Sequence, residues 1–238
     1  MTTERMKKYM WVLNRKLGAA CVTKLASTTG ADRRAVLQWA EGSALPTPRE
    51  LRRIDEFYYR LLYTQEGNSP GYWRAKGREL LRASRLLKAS VDDYWRIVDE
   101  RQAGNASRPL PPLPPEGQML MLRSFAIECF LKAAILNSGV DLFVDGKQVL
   151  HTHHKLTALA GAVGLTLSKP ENEMLERLNA YTWLGRFPVL DDWKKSPSDE
   201  SRSDREGRSH WREPEDEKLL ETVLKKINEN FKNKKKGC

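Results

Sequence analysis

Apolar positions recur along the chain at three- and four-residue spacing, the helical period, and no segment carries the two-residue alternation of a half-buried strand set. Met6, Tyr9, Met10 and Leu13 place a first helix over residues 5–17. Shorter helices are predicted at 22–28, 32–40 and 48–62, separated by Thr29-Gly30 and by Gly42-Ser43-Ala44-Leu45-Pro46, which are stop signals. Gly67-Asn68-Ser69-Pro70-Gly71 is the best linker between two domains. A long helix over 72–101 follows, with Leu80, Ala83, Leu87, Val91, Tyr94 and Val98 as its buried stripe. Trp95 and Trp183 are expected in the core.

Prolines 109, 111, 112, 114 and 115 forbid helix and predict an extended loop over 104–116. It has the form of an SH3 ligand, but a rigid connection between antiparallel helices is the favoured reading. A helix over 117–137 should bury Met119, Leu122, Ala126, Cys129, Ala133 and Leu136 on one face, and Asp145-Gly146 marks a short hairpin at 142–149. Two helices fit 155–163 and 171–183. Residues 191–213, dense in Asp, Ser, Arg and Lys, are expected to be a mobile loop. The last helix starts at Pro214 and buries Leu220, Val223, Leu224, Ile227 and Phe231. The expected fold is all-α, in two domains at 1–66 and 71–238.

Charge sharpens this picture. The 238 residues carry 41 Lys+Arg against 31 Asp+Glu, a net charge of +10. Residues 1–65 hold 12 cations against 6 acids, and residues 66–109 hold 9 against 6, whereas 110–190 balance at 7 and 7. A basic excess concentrated at one end points to a polyanion, nucleic acid first. Three widely spaced cysteines, Cys21, Cys129 and Cys238, argue against a disulfide framework and for a reducing cytoplasm. The opening residues have no apolar stretch of the secretory kind, and no run approaches a membrane span, so a cytoplasmic protein with no membrane partner is expected.

Residues 25–47 carry the most specific local pattern. Leu25 and Ala26 suit the first helix of a bihelical unit, Gly30 a left-handed turn, and Asp32 a helix N-cap. With Val36 and Trp39 turned to the core, Arg33, Arg34, Leu37 and Gln38 face outward, a set suited to base edges and phosphates in a major groove. Leu25-Ala26, Gly30, Asp32, Val36, Trp39, Glu41-Gly42 and Pro46 resemble the Cro/lambda-repressor-like (XRE-type) helix-turn-helix family. The resemblance covers about residues 5–62 and implies duplex DNA binding. Where that family often has Gln at the start of the first motif helix, this chain has Cys21-Val22-Thr23, so Thr23 would take the phosphate contact with a shorter reach.

Three further landmarks follow in order: Ala126-Ile127-Glu128-Cys129-Phe130-Leu131-Lys132, in which Glu128 and Lys132 form an i,i+4 pair; His153-His154-Lys155-Leu156 opening a helix; and Arg186-Phe187-Pro188 closing one. Over residues 72–231 this order resembles the HEPN superfamily, a usually dimeric antiparallel helical bundle found in toxin–antitoxin, phage-defence and RNA-processing proteins. Its ribonucleases use an Arg-x(4–6)-His motif without metal. The resemblance implies a homodimer through the C-terminal bundle that binds or cleaves RNA. Arg186 is followed by Asp191 and Asp192 rather than His, so Arg205 and His210 are the candidate catalytic pair and Arg186 an accessory cation. A non-catalytic regulator with a dimerising bundle is the alternative, and a protein adaptor a third option. His151, His153 and His154 are better explained by helix-start packing than by metal binding, and no cofactor is expected.

Overall fold

The computed structural model describes residues 3–105, 109–149, 154–184 and 214–235. Their secondary structure is helical apart from one two-stranded ribbon, so the fold is all-α. The chain folds into two compact units: Met1–Gly67 together with Phe143–Gln148, and Asn68–Leu142 together with Val149–Cys238.

The first unit opens with α1 (Thr3–Leu17) and a single 3-10 turn at Gly18–Ala20, then α2 (Cys21–Thr29), α3 (Arg33–Glu41) and α4 (Pro48–Gly67). Its core gathers Met6, Tyr9, Met10 and Leu13 of α1 with Cys21, Leu25, Val36, Trp39 and Ile54. Each boundary has a local cause. Gly30 and Gly42 close α2 and α3 at φ 78° and 79°, a conformation that costs a glycine little. The Asp32 carboxylate accepts from the Ala35 amide at 2.7 Å, capping α3. Thr47 and Glu50 form a reciprocal capping box around Pro48, the first residue of α4. Arg53 of α4 donates to the Thr29 carbonyl at 2.6 Å and so satisfies the exposed end of α2.

Unlike the expected stop at residue 62, α4 runs on to Gly67, and only Asn68 and Ser69 separate it from the next helix. The hairpin expected at Asp145-Gly146 is present: β1 (Phe143–Val144) pairs antiparallel with β2 (Lys147–Gln148). Both turn residues have positive φ, 48° and 76°, as a tight two-residue turn demands. Division at residue 66 into contiguous domains leaves this hairpin on the wrong side. Phe143 packs edge-on against Tyr63, and the Gly146 amide donates to Thr64 Oγ1 at 2.7 Å, so the hairpin belongs with α4.

The second unit comprises α5 (Pro70–Gln102), α6 (Glu116–Asn137), α7 (Leu156–Ala162), α8 (Lys169–Leu184) and α9 (Glu215–Lys235). Ser69 caps α5 and Pro70 opens it. The core of this unit is α6: between Met119 and Leu136 only Met121, Leu122 and Phe125 escape full burial. A helix buried on all sides belongs at the centre of a bundle, so the expected single buried face, with Leu122 on it, is too narrow. The stripe on α5 also needs correction. Its fully buried residues are Gly77, Ser84, Val91 and Ile97, while Leu80, Ala83, Leu87, Tyr94 and Val98 are half-buried. Gly77 is small because a Cβ there would lie 2.9 Å from Cε1 of Phe130 on α6.

Trp95 is 49% exposed, against expectation. Helical phase explains it: Ile97, two positions further along α5, is buried, and Trp95 lies on the opposite side of the helix. The Trp183 side chain and the charged segment 191–213 lie outside the described residues.

Candidate nucleic-acid interface

Helix α3 sorts its side chains by periodicity. Val36 and Trp39 are buried, and Arg33, Arg34 and Leu37 are exposed on the other side, with Gln38 half-buried beside them. Leu37 is 48% accessible. Arg33 and Arg34 form no hydrogen bond or ion pair among the described residues. Two guanidinium groups, an amide and an apolar side chain are therefore presented together by a helix that is fixed at both ends. Thr23 is exposed in the first turn of α2. The hydroxyls of Ser27 and Thr28 are not available in the same way, because both donate to the Lys24 carbonyl.

The three residues expected to act on RNA, Arg186, Arg205 and His210, lie outside the described residues, as do His151 and His153. Around the described landmarks the second unit shows an ionic cluster. The Glu128–Lys132 pair anticipated on α6 is present at 2.6 Å, but it is buried rather than solvated. Glu128 also holds His154, whose Nδ1 is 2.7 Å from Oε2. The Lys132 ammonium stands 4.7 Å from the centre of the Trp73 ring, a cation–π contact in a desolvated setting. His154 packs edge-on to Phe125. It is thus a packed and hydrogen-bonded helix-start histidine, and no group of three metal-ligating side chains occurs among the described residues.

Two further pairs, one buried and one half-buried, fix the start of α9. Arg177 of α8 forks onto both oxygens of Asp216, and Arg123 of α6 reaches Glu217 at 2.9 Å. Two of the three first-turn acids of α9, Asp216 and Glu217, expected as complements to the helix dipole, are thereby also the counterions of two buried arginines. Near the start of α8, burial by itself would raise the Glu171 carboxyl. The Lys226 ammonium at 2.7 Å, with the amide and hydroxyl of Ser168, outweighs that and holds it below the usual carboxylate range. Sequence spacing could have signalled Glu128–Lys132 and the Ser168–Glu171 capping pair; the partners in the other ion pairs are 26 to 94 positions apart.

Among the described residues no helix is long and apolar enough to cross a membrane. Comparison with family models, curated proteins and solved structures finds no match to this chain.

Proposed function

We propose that the chain is a nucleic-acid-binding protein whose α2–α3 pair reads duplex DNA in the manner of a Cro/lambda-repressor-like helix-turn-helix. The supporting observation is the outward display of Arg33, Arg34, Leu37 and Gln38 on a doubly capped helix whose opposite side is anchored by Val36 and Trp39. Arginine and glutamine side chains on such a helix match the donor and acceptor pattern of the major groove, and guanidinium groups without an internal counterion suit the neutralisation of phosphates. Thr23 supplies a flanking phosphate contact.

The second unit is, in this reading, a HEPN-like bundle that forms a homodimer and binds or cleaves RNA, as a component of a prokaryotic or phage defence or toxin–antitoxin system. Its support is the order of the three sequence landmarks at 126–132, 153–156 and 186–188. Cleavage would use His210 for proton transfer and Arg205 for the charge on the phosphorane, with Arg186 assisting.

Binding of a labelled duplex by the full chain, titrated with salt, tests the first claim. Arg33→Ala with Arg34→Ala should weaken binding and lower the slope of log K against log salt by about 2, since each phosphate contact contributes roughly 0.9. Unchanged affinity and slope would remove the reader helix. For the second unit, RNA cleavage that persists in EDTA and vanishes in His210→Ala supports the nuclease. Full cleavage by that variant refutes the assignment of His210, and DNA binding without any cleavage selects the non-catalytic regulator.

A further inference from the structure

Helix α5 is 33 residues long and charged along much of its exposed surface. A polar helix of this kind is ordinarily held by oppositely charged neighbours one turn apart, and Lys76, Lys88 and Arg96 follow that rule. Lys76 bonds Glu79, Lys88 bonds Asp92, and Arg96 bonds both Asp93 and Glu100. Arg74 lies over the Phe231 ring of α9 at 4.2 Å.

Arg78, Arg82 and Arg85 break the pattern. All three are exposed, and none forms an ion pair, hydrogen bond or ring contact among the described residues. Their spacing is i, i+4, i+7, so they share one ridge within two turns, about 10 Å from first to last. Arg78 and Arg82 are like charges one turn apart, as are Arg82 and Arg85, an arrangement that weakens a helix. Glu79, the acid beside them in sequence, is already engaged by Lys76. Leu86, 72% exposed, borders the ridge.

We propose that this arginine ridge is the surface on which the second unit holds an RNA strand, through its phosphates. The inference rests on the RNA-binding reading of that unit. Guanidinium groups bind phosphate oxygens through two parallel N–H donors, and a row of them follows a backbone without reading its bases. A phosphate chain offers successive anionic groups along a line, which is the complement of three co-linear cations, and its approach relieves the repulsion between them. Leu86 offers an apolar edge to a sugar or base beside that line.

The experiment is fluorescence anisotropy of a labelled 20-nucleotide single-stranded RNA of mixed sequence against the full chain, across a salt series. It is run in the wild type and in Arg78→Gln/Arg82→Gln/Arg85→Gln. Glutamine keeps helix propensity close to that of arginine, so the variant's thermal midpoint should be unchanged or raised. RNA affinity should fall at least about tenfold at low salt, and the log–log slope should drop by about 2, at roughly 0.7 per lost contact on a single strand. Duplex DNA binding, read in parallel, should be retained. Replacement of the three arginines by lysine should keep the slope while weakening affinity.

Equal RNA binding by wild type and the glutamine variant would overturn the proposal. So would failure of the wild type to bind RNA, or competition by polyglutamate as effective as that by unlabelled RNA, which would mark the ridge as a site for acidic protein. His210→Ala separates this claim from the nuclease reading. RNA bound with full affinity but not cut by that variant supports both. Ridge-dependent binding with no cleavage by the wild type leaves the ridge and removes the nuclease. Cleavage with an unchanged KM in the glutamine variant removes the ridge and leaves the nuclease.

Discussion

Gly67 lacks a side chain where the Phe143 ring needs the room: a Cβ on Gly67 would come within 2.7 Å of carbons of that ring. The two residues are far apart in sequence, yet they make a hairpin from the middle of the chain part of the first compact unit. Gly67→Ala gains about 1 kcal/mol of helix propensity at the end of α4 but must displace a buried phenyl ring, at a cost of roughly 1–3 kcal/mol. The net expectation is destabilisation of the first unit. Hydrogen exchange should show it first at Val144 and Gly146, whose amides lie in the hairpin. A variant with unchanged exchange in the hairpin and a raised melting point would show that the Phe143 ring can move aside freely.

The same contact illustrates what could be read from the sequence. Asp145-Gly146 announced the hairpin, because turn chemistry is local, but nothing near Phe143 announced its partner. Local rules also sufficed for α2 and α3, where Gly30, Asp32 and Gly42 fix the ends and Val36 and Trp39 fix the inward side. They failed where small residues form a close helix crossing. Gly77 and Ser84 are the most buried positions in the first half of α5, yet neither counts as apolar in a periodicity argument. They failed again for buried charge. Nothing local marks Arg123, Arg177 and Asp216 for burial, and only the folded chain supplies the counterions that make it tolerable. The exposure of Arg33, Arg34 and Leu37 was legible because it follows directly from helical phase.

The Arg177–Asp216 pair gives the sharpest stability prediction. Both side chains are almost fully buried, and the guanidinium forks onto both carboxylate oxygens. Asp216→Ala strands a buried arginine and should cost on the order of 3–5 kcal/mol, visible as a lower denaturant midpoint. Removal of both charges, by Arg177→Met with Asp216→Leu, should recover much of that loss, because a buried pair repays little more than its own desolvation. A double variant as unstable as Asp216→Ala would show that the pair contributes net stability.

Cys129 of α6 predicts an alkaline limit to stability. Burial is the largest influence on its thiol and the Glu128 carboxylate adds to it; against the smaller effects of Lys132 and Lys76, they push its pKa up to about 12. In the unfolded chain a cysteine ionises near pH 8.5. The native thiol stays protonated across that interval while the unfolded one loses its proton, so the unfolded state binds fewer protons and gains stability as pH rises. The contribution of Cys129 is therefore intact below about pH 8.5 and declines progressively up to about pH 12. Cys129→Ala should flatten that decline in a plot of unfolding free energy against pH, whatever its cost at neutral pH. At pH 7 the native thiol should also resist alkylation by iodoacetamide, as should the buried Cys21, whose pKa burial likewise raises. Both should react once the chain is unfolded in denaturant. Rapid modification of Cys129 in the native protein, mapped by peptide mass, would contradict its enclosure in α6.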